Sequence, residues 1–225
     1  MVRGSSSMTR KLLPWGLLLL ALLAGCTKAG ERPQPTSTAG AAVNLRSALL
    51  TMTDLPGSGW SEQEPSTSDL TNECVVAIND VSRGDRNERA SYTKGQNDDQ
   101  VAFSVAQFAD GGAAQGAMSK LREALHCPSW TENVDGSATT FHLSAADAPV
   151  LGDEAVAYRA DLDVNVNSSG RVVHITSNVI AFRRGKIISN VNHFRVRASG
   201  QAPLNRALVD ELAKRAEQKL VGAGL

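Results

Sequence analysis

The chain of 225 residues is poor in aromatics, with five Phe, three Trp and two Tyr. Val, Leu, Ile and Ala must therefore fill its core. It has no excess of charge, since 23 Lys and Arg balance 23 Asp and Glu. No basic block stands out, which removes the electrostatic footprint of nucleic-acid binding. Nor is there a polybasic stretch to hold an anionic lipid surface. Catalytic signatures are missing as well. There is no Gly-x-Ser-x-Gly elbow to present a serine. There is no glycine-rich phosphate loop and no His-Glu-x-x-His pair for zinc. The four histidines, His126, His142, His174 and His193, are scattered. The three cysteines lack any Cys-x-x-Cys spacing that would complete a zinc site. No metal and no cofactor is expected.

A long apolar span is also lacking. The run from Leu12 to Gly25 has 14 residues, whereas a membrane helix needs roughly 20. What stands there is a secretory signal: Arg10 and Lys11, then the apolar middle, then the small residues Ala24 and Gly25. Met1 to Ser7 reads as an upstream extension, with Met8 as the alternative start. Leu23-Ala24-Gly25-Cys26 resembles the lipobox of bacterial lipoproteins. The resemblance implies cleavage before Cys26, acylation of its thiol, and a protein anchored by lipid at the extracytoplasmic face of the cell membrane. Losing residues 1–25 removes Arg3, Arg10 and Lys11 and no acid, so the remainder carries three more acids than bases.

With Cys26 assigned to lipid, Cys74 and Cys127 remain as an even pair in an oxidising compartment. A disulfide between them is expected, with two free buried thiols as the alternative. Residues 27–42 hold no large apolar side chain and read as a flexible tether. A single domain over 43–225 follows.

Within that domain, Leu45, Ala48, Leu49 and Met52 have the spacing of a short helix, stopped by Pro56. A poorer helix runs across Asp69–Asn79. Arg83–Arg89 reads as a charged turn, Ala90–Thr93 and Gln100–Phe108 as strands joined by a hairpin. Ala114, Ala117, Met118, Leu121 and Leu125 mark an amphipathic helix over Gly112–His126. Thr139–Ser144 is extended. Val156–Val166, Val172–Phe182 and Ile187–Val196 form a meander through turns at Asn167–Gly170 and Arg184–Lys186. Pro203 opens a last helix with a stripe of Leu204, Leu208, Leu212, Ala216 and Leu220. The expected fold class is α+β: a twisted antiparallel sheet of about five to seven strands, with the two long helices covering one face and one disulfide.

Titratable clusters are read against a bland background. Asp161 and Asp163 fall on one strand face with Arg159, where cross-strand ion pairs are expected. An enzyme using His142 or His193 with Asp161 is the least favoured class.

Several short stretches together resemble a family. Leu49-Leu50-Thr51-Met52-Thr53-Asp54-Leu55-Pro56-Gly57-Ser58-Gly59-Trp60 is similar to the opening of actinobacterial sensor-domain lipoproteins. Leu151-Gly152-Asp153-Glu154-Ala155 and Val179–Lys186 continue the order of the PknH-like extracellular sensor domain, over roughly Val43 to Leu220. The resemblance implies an α+β domain with a cleft for a ligand and no catalytic residues. The chain departs from it in having one cysteine pair where that domain resembles a two-disulfide scaffold. It also has no kinase and no transmembrane helix, so a signal cannot pass through this polypeptide directly. The leading expectation is a non-enzymatic, lipid-anchored binding or sensor-like domain of the cell envelope. Its partners would be the membrane, through the lipid, and an unidentified envelope ligand or protein; its ligand-binding residues are not legible. An envelope lipid carrier with an internal apolar cavity is the alternative.

Overall fold

Eight strands form one antiparallel sheet in the order β1-β2-β3-β8-β7-β6-β5-β4. The computed structural model describes residues 44–65, 72–95, 99–127, 129–134, 137–166, 171–197 and 204–225. Cys26, the tether over 27–42, the turn at 167–170 and Pro203 lie outside them. The strands are β1 (Trp60–Gln63), β2 (Arg86–Lys94), β3 (Asp99–Gln107), β4 (Trp130–Val134), β5 (Ser137–Ala146), β6 (Glu154–Val166), β7 (Arg171–Arg184) and β8 (Ile187–Arg197). The helices are α1 (Glu73–Asp80), α2 (Gly111–Ala124) and α3 (Arg206–Gly222). The α+β class, the β6-β7-β8 meander and the β2-β3 hairpin are as the sequence leads one to expect.

Five expectations need correction. The sheet has eight strands rather than five to seven, because two short polar edge strands, β1 and β4, complete it. Leu45–Met52 is not one helix. It is a 3-10 turn at Leu45–Ala48 and another at Met52–Asp54, separated by extended Leu49. Arg86–Arg89 belongs to β2 and not to a turn. The last helix starts at Arg206, where the Asn205 carboxamide accepts the Ala207 N–H at 3.0 Å and satisfies an end donor.

The fifth correction concerns the layers. The long helices do not share a face. Successive side chains of a strand point to opposite sides, and β7 shows the consequence. Ile180 and Phe182 join Val209, Leu212, Ala213, Ala216 and Leu220 of α3. Val179 and Ala181 join Ala114, Met118 and Leu121 of α2. The central strands are therefore covered on both sides. In β3, Val101, Phe103 and Val105 face the α3 layer, while the intervening Ser104 and Ala106 are also buried.

The Leu49–Trp60 stretch is clamped to α3. The Asp54 carboxylate accepts the Thr51 N–H at 2.7 Å and pairs with Lys219 at 2.6 Å. Lys219 also donates to the Leu49 carbonyl at 3.0 Å. Burial opposes ionisation of Asp54, but Lys219 and Thr51 outweigh it and hold the carboxyl below its ordinary range. Trp60 closes the turn by donating Nε1–H to the Pro56 carbonyl at 3.0 Å, and Lys94 lies over its ring. At the other end of the sheet, Arg183 fastens the Leu151–Glu154 loop, pairing with Asp153 at 2.9 Å and with Glu154. Burial again opposes ionisation of Glu154, and Arg183 with Arg122 holds its carboxyl low. Gly152 in that loop has φ +53°, and a Cβ there would collide with the Arg183 carbonyl.

Candidate functional site

The α2 layer covers only part of its face. It sits over Val156, Ala181 and Ile188, toward the β7-β8 turn. Beyond it α1 is the only described helix over the same sheet face, and a cleft of about 410 Å³ opens between the two. That volume lies toward the low end of the roughly 300–1,000 Å³ typical of small-molecule sites. Val75, Ile78 and Asn79 of α1 form one wall.

α1 is held over the sheet by the Cys74–Cys127 disulfide, which joins it to the segment after α2 with Cα atoms 6.5 Å apart. Asn72 caps it, its carboxamide oxygen accepting the Cys74 N–H at 2.9 Å. The bridge expected from cysteine number thus forms and sets one wall of the cleft.

The floor is sorted by chemistry along the strand order. On the β2-β3-β8 side it presents Arg89, Ser91, Ser104, Asn190 and Asn192, with Ala102 and Phe194 among them. On the β7-β6-β5-β4 side it presents Ile175, Val179, Ala160, Leu162, Phe141, Leu143 and Trp130, with Ser177 of β7 next to Asn192 the polar exception. Trp130 stacks on Phe141 with ring centroids 5.0 Å apart and planes 2° from parallel. Tyr158 lies among the apolar residues, and burial pushes its phenol well above the ordinary value, so it stays neutral.

The polar side is partly self-satisfied. Ser104 donates to the Ser82 hydroxyl at 2.8 Å, and the Asn190 carboxamide donates to the same oxygen at 3.3 Å. Ser177 donates to Asn192 at 2.6 Å. Arg89 donates through Nη2 to the Ser82 carbonyl at 3.3 Å. Arg89 Nε, Asn190 Oδ1 and Trp130 Nε1 are buried without a hydrogen-bond partner among the described residues. Among the described residues, no carboxylate pairs with Arg89. A buried donor on a charged group is costly to leave unmade, and a ligand oxygen would complete it.

The residues weighed as catalytic are not assembled. Asp161 and His142 are register partners on β6 and β5, but the Asp161 carboxylate receives Arg159 at 2.7 Å and Thr176 at 2.7 Å. Asp163 forms its pair with His174 across the strands. His193 is 1% exposed on the α3 side, with Nε2 3.1 Å from Asp99. Arg195 pairs with that same carboxylate at 2.6 Å. Among the described residues, no three His, Cys, Asp or Glu side chains gather as metal ligands. No described helix is long and apolar enough to cross a membrane.

The cleft residues were not singled out by sequence. One signal for them exists: Asn190 and Asn192 sit two apart on one face of β8, between Ile188 and Phe194. Two amides on one face of a central strand need a polar neighbour. Arg89 and Ser91, alternating with buried Ala90 and Tyr92, carry the same message.

No family model matches the chain, and no curated protein matches it in sequence. Among solved structures it is similar to the extracellular domain of PknH from Mycobacterium tuberculosis, with a TM-score of 0.53 at 12% identity. The match covers 77% of this chain and 95% of that one. At that identity the likeness is one of fold alone: the described residues are folded like that extracellular domain.

Proposed function

We propose that this protein is a non-enzymatic, sensor-like binding domain of the cell envelope, and that the cleft beneath α1 is where it receives its ligand. The supporting observation is an open concavity beside the α2 layer, holding buried polar atoms that no described residue satisfies. Residues 1–25 act as the signal, acylated Cys26 and the tether over 26–42 hold the domain at the extracytoplasmic face of the membrane, and 43–225 does the binding. The disulfide suits an oxidising compartment. The carrier reading draws on the apolar half of the cleft, but 410 Å³ with an open side is small for a two-chain lipid.

The test is native mass spectrometry of the full chain after expression in its envelope. A small molecule should accompany the protein, and Ala160→Trp, which fills the cleft floor, should release it without unfolding the domain. A ligand retained by Ala160→Trp, or none from any envelope preparation, would count against the cleft. For the anchor, radiolabelled palmitate should join the wild-type chain and not the Cys26→Ser variant.

A further inference from the structure

We infer that the cleft accommodates a single-chain amphiphile with one anionic headgroup, its head at Arg89 and its chain laid over the β7-β6-β5 floor. This rests on the cleft being the ligand site, as proposed above.

Three features define such a ligand. The first is separation. The charged and amide groups, Arg89, Asn190 and Asn192, lie on the β2-β3-β8 side, and beyond Ser177 the floor toward β6 and β5 is apolar, so one molecule crossing the cleft meets both chemistries in turn. The second is the sign of the charge. Among the described residues lining the cleft, Arg89 is the only ionisable side chain besides the neutral Tyr158, and no described carboxylate pairs with it. A cationic head would meet like charge with no described carboxylate to offset it. A neutral head would leave the guanidinium uncompensated in a half-buried site. A carboxylate or phosphate matches its fork of N–H donors, including the orphaned Nε–H. The third is size. The volume of about 410 Å³ matches one chain better than two. Leu162, Ile175 and Phe141 supply the apolar bed.

The experiment is titration calorimetry on the full chain with decanoate, decyl phosphate, decanol and decyltrimethylammonium, each below its micelle concentration. The anionic probes should bind at least tenfold more tightly than decanol, and the ammonium probe weakest. Each methylene removed from the chain should weaken binding about fourfold. Arg89→Met should bring the anions to the level of decanol and leave decanol unchanged. Arg89→Lys should retain part of the preference, which separates loss of charge from loss of fold. Preference for decanoate points to a fatty carboxylate, and preference for decyl phosphate to a single-chain phospholipid. Equal binding of anion and alcohol, or indifference to Arg89→Met, overturns the headgroup assignment and leaves the cleft as a site. If no decyl probe binds while Ala160→Trp still releases a co-purified molecule, the amphiphile falls and the cleft reading stands. If neither is seen, both fall.

Discussion

The two faces of the sheet are made from alternate residues of the same strands, yet one is filled and the other is left open. On the α3 side, β7 and β8 offer Ile180, Phe182, Ile187 and Val191 to a helix with a matching apolar stripe. On the other side, the same strands offer Val179, Ala181 and Ile188 to α2 at one end, then Ser177, Asn190 and Asn192 at the other. Replacing apolar side chains by small polar ones at alternate positions leaves β7 and β8 intact, because the ladder is made by backbone. It removes the reason for a helix to cover that area. A sheet can thus fold on one face and reserve part of the other.

The largest effect should come from setting Phe182 against Phe194. Phe182 is fully buried beneath α3, and Phe194 is half-buried at the edge of the cleft. Truncating a buried Phe to Ala costs about 3–5 kcal/mol. Phe182→Ala should therefore approach the whole stability of a domain this size, whereas Phe194→Ala should cost well under half as much and weaken ligand binding instead. Urea unfolding of both variants reads this directly. Equal losses would mean that the cleft face carries as much of the fold as the α3 face.

The disulfide comes next. It closes a separation of 53 residues, for which the chain-entropy relation gives about 4 kcal/mol, within a usual range of roughly 2–4. Its position divides the faces: α1 is tied through it, while α3 is not. Cys74→Ser with Cys127→Ser should lower the melting temperature, and amide exchange should rise first in α1 and the cleft. Faster exchange spread evenly through α3 would contradict that division.

These contrasts explain which parts of the protein were legible in its sequence. The meander and α2 were, because their burial follows one period over ten or more residues. β1 and β4 were not. Trp-Ser-Glu-Gln and Trp-Thr-Glu-Asn-Val are short and polar, and edge strands owe their place to backbone pairing more than to burial. The side on which each helix lies was invisible too. The stripes of α2 and α3 say that each buries a face, and only strand parity, expressed as Ile180 and Phe182 against Val179 and Ala181, says against which side. The Leu49–Trp60 stretch signalled its fold well but its local form poorly. The Thr51–Asp54 cap and the Lys219 tie tighten it into 3-10 turns that apolar spacing cannot distinguish from an α-turn. The cleft was legible only as an implication of resemblance, since its lining draws one to three residues from each of seven strands.

The smallest effect concerns the one buried histidine, which lies on the filled face. Burial lowers the His193 pKa below its ordinary 6.5, and neighbouring Arg195 lowers it further. Asp99 and the Asn205 backbone oppose this without reversing it. The folded protein therefore binds a proton at His193 less readily than the unfolded chain. The stability due to the neutral ring is complete above about pH 6.5 and is lost as pH falls below it toward the folded value, by at most about 1.4 kcal/mol per pH unit. His193→Gln keeps a donor for Asp99 and removes the titration, so its unfolding free energy should be flatter between pH 6.5 and 5 than that of the wild type. Asp54 and Glu154, held low in the folded state, give up their contribution only as pH drops through the carboxylate range, and that acid limb should persist in the variant. If wild type and His193→Gln show the same slope above pH 5, the polar cluster under α3 tolerates a proton. The filled face would then share the latitude for polar groups that distinguishes the open one.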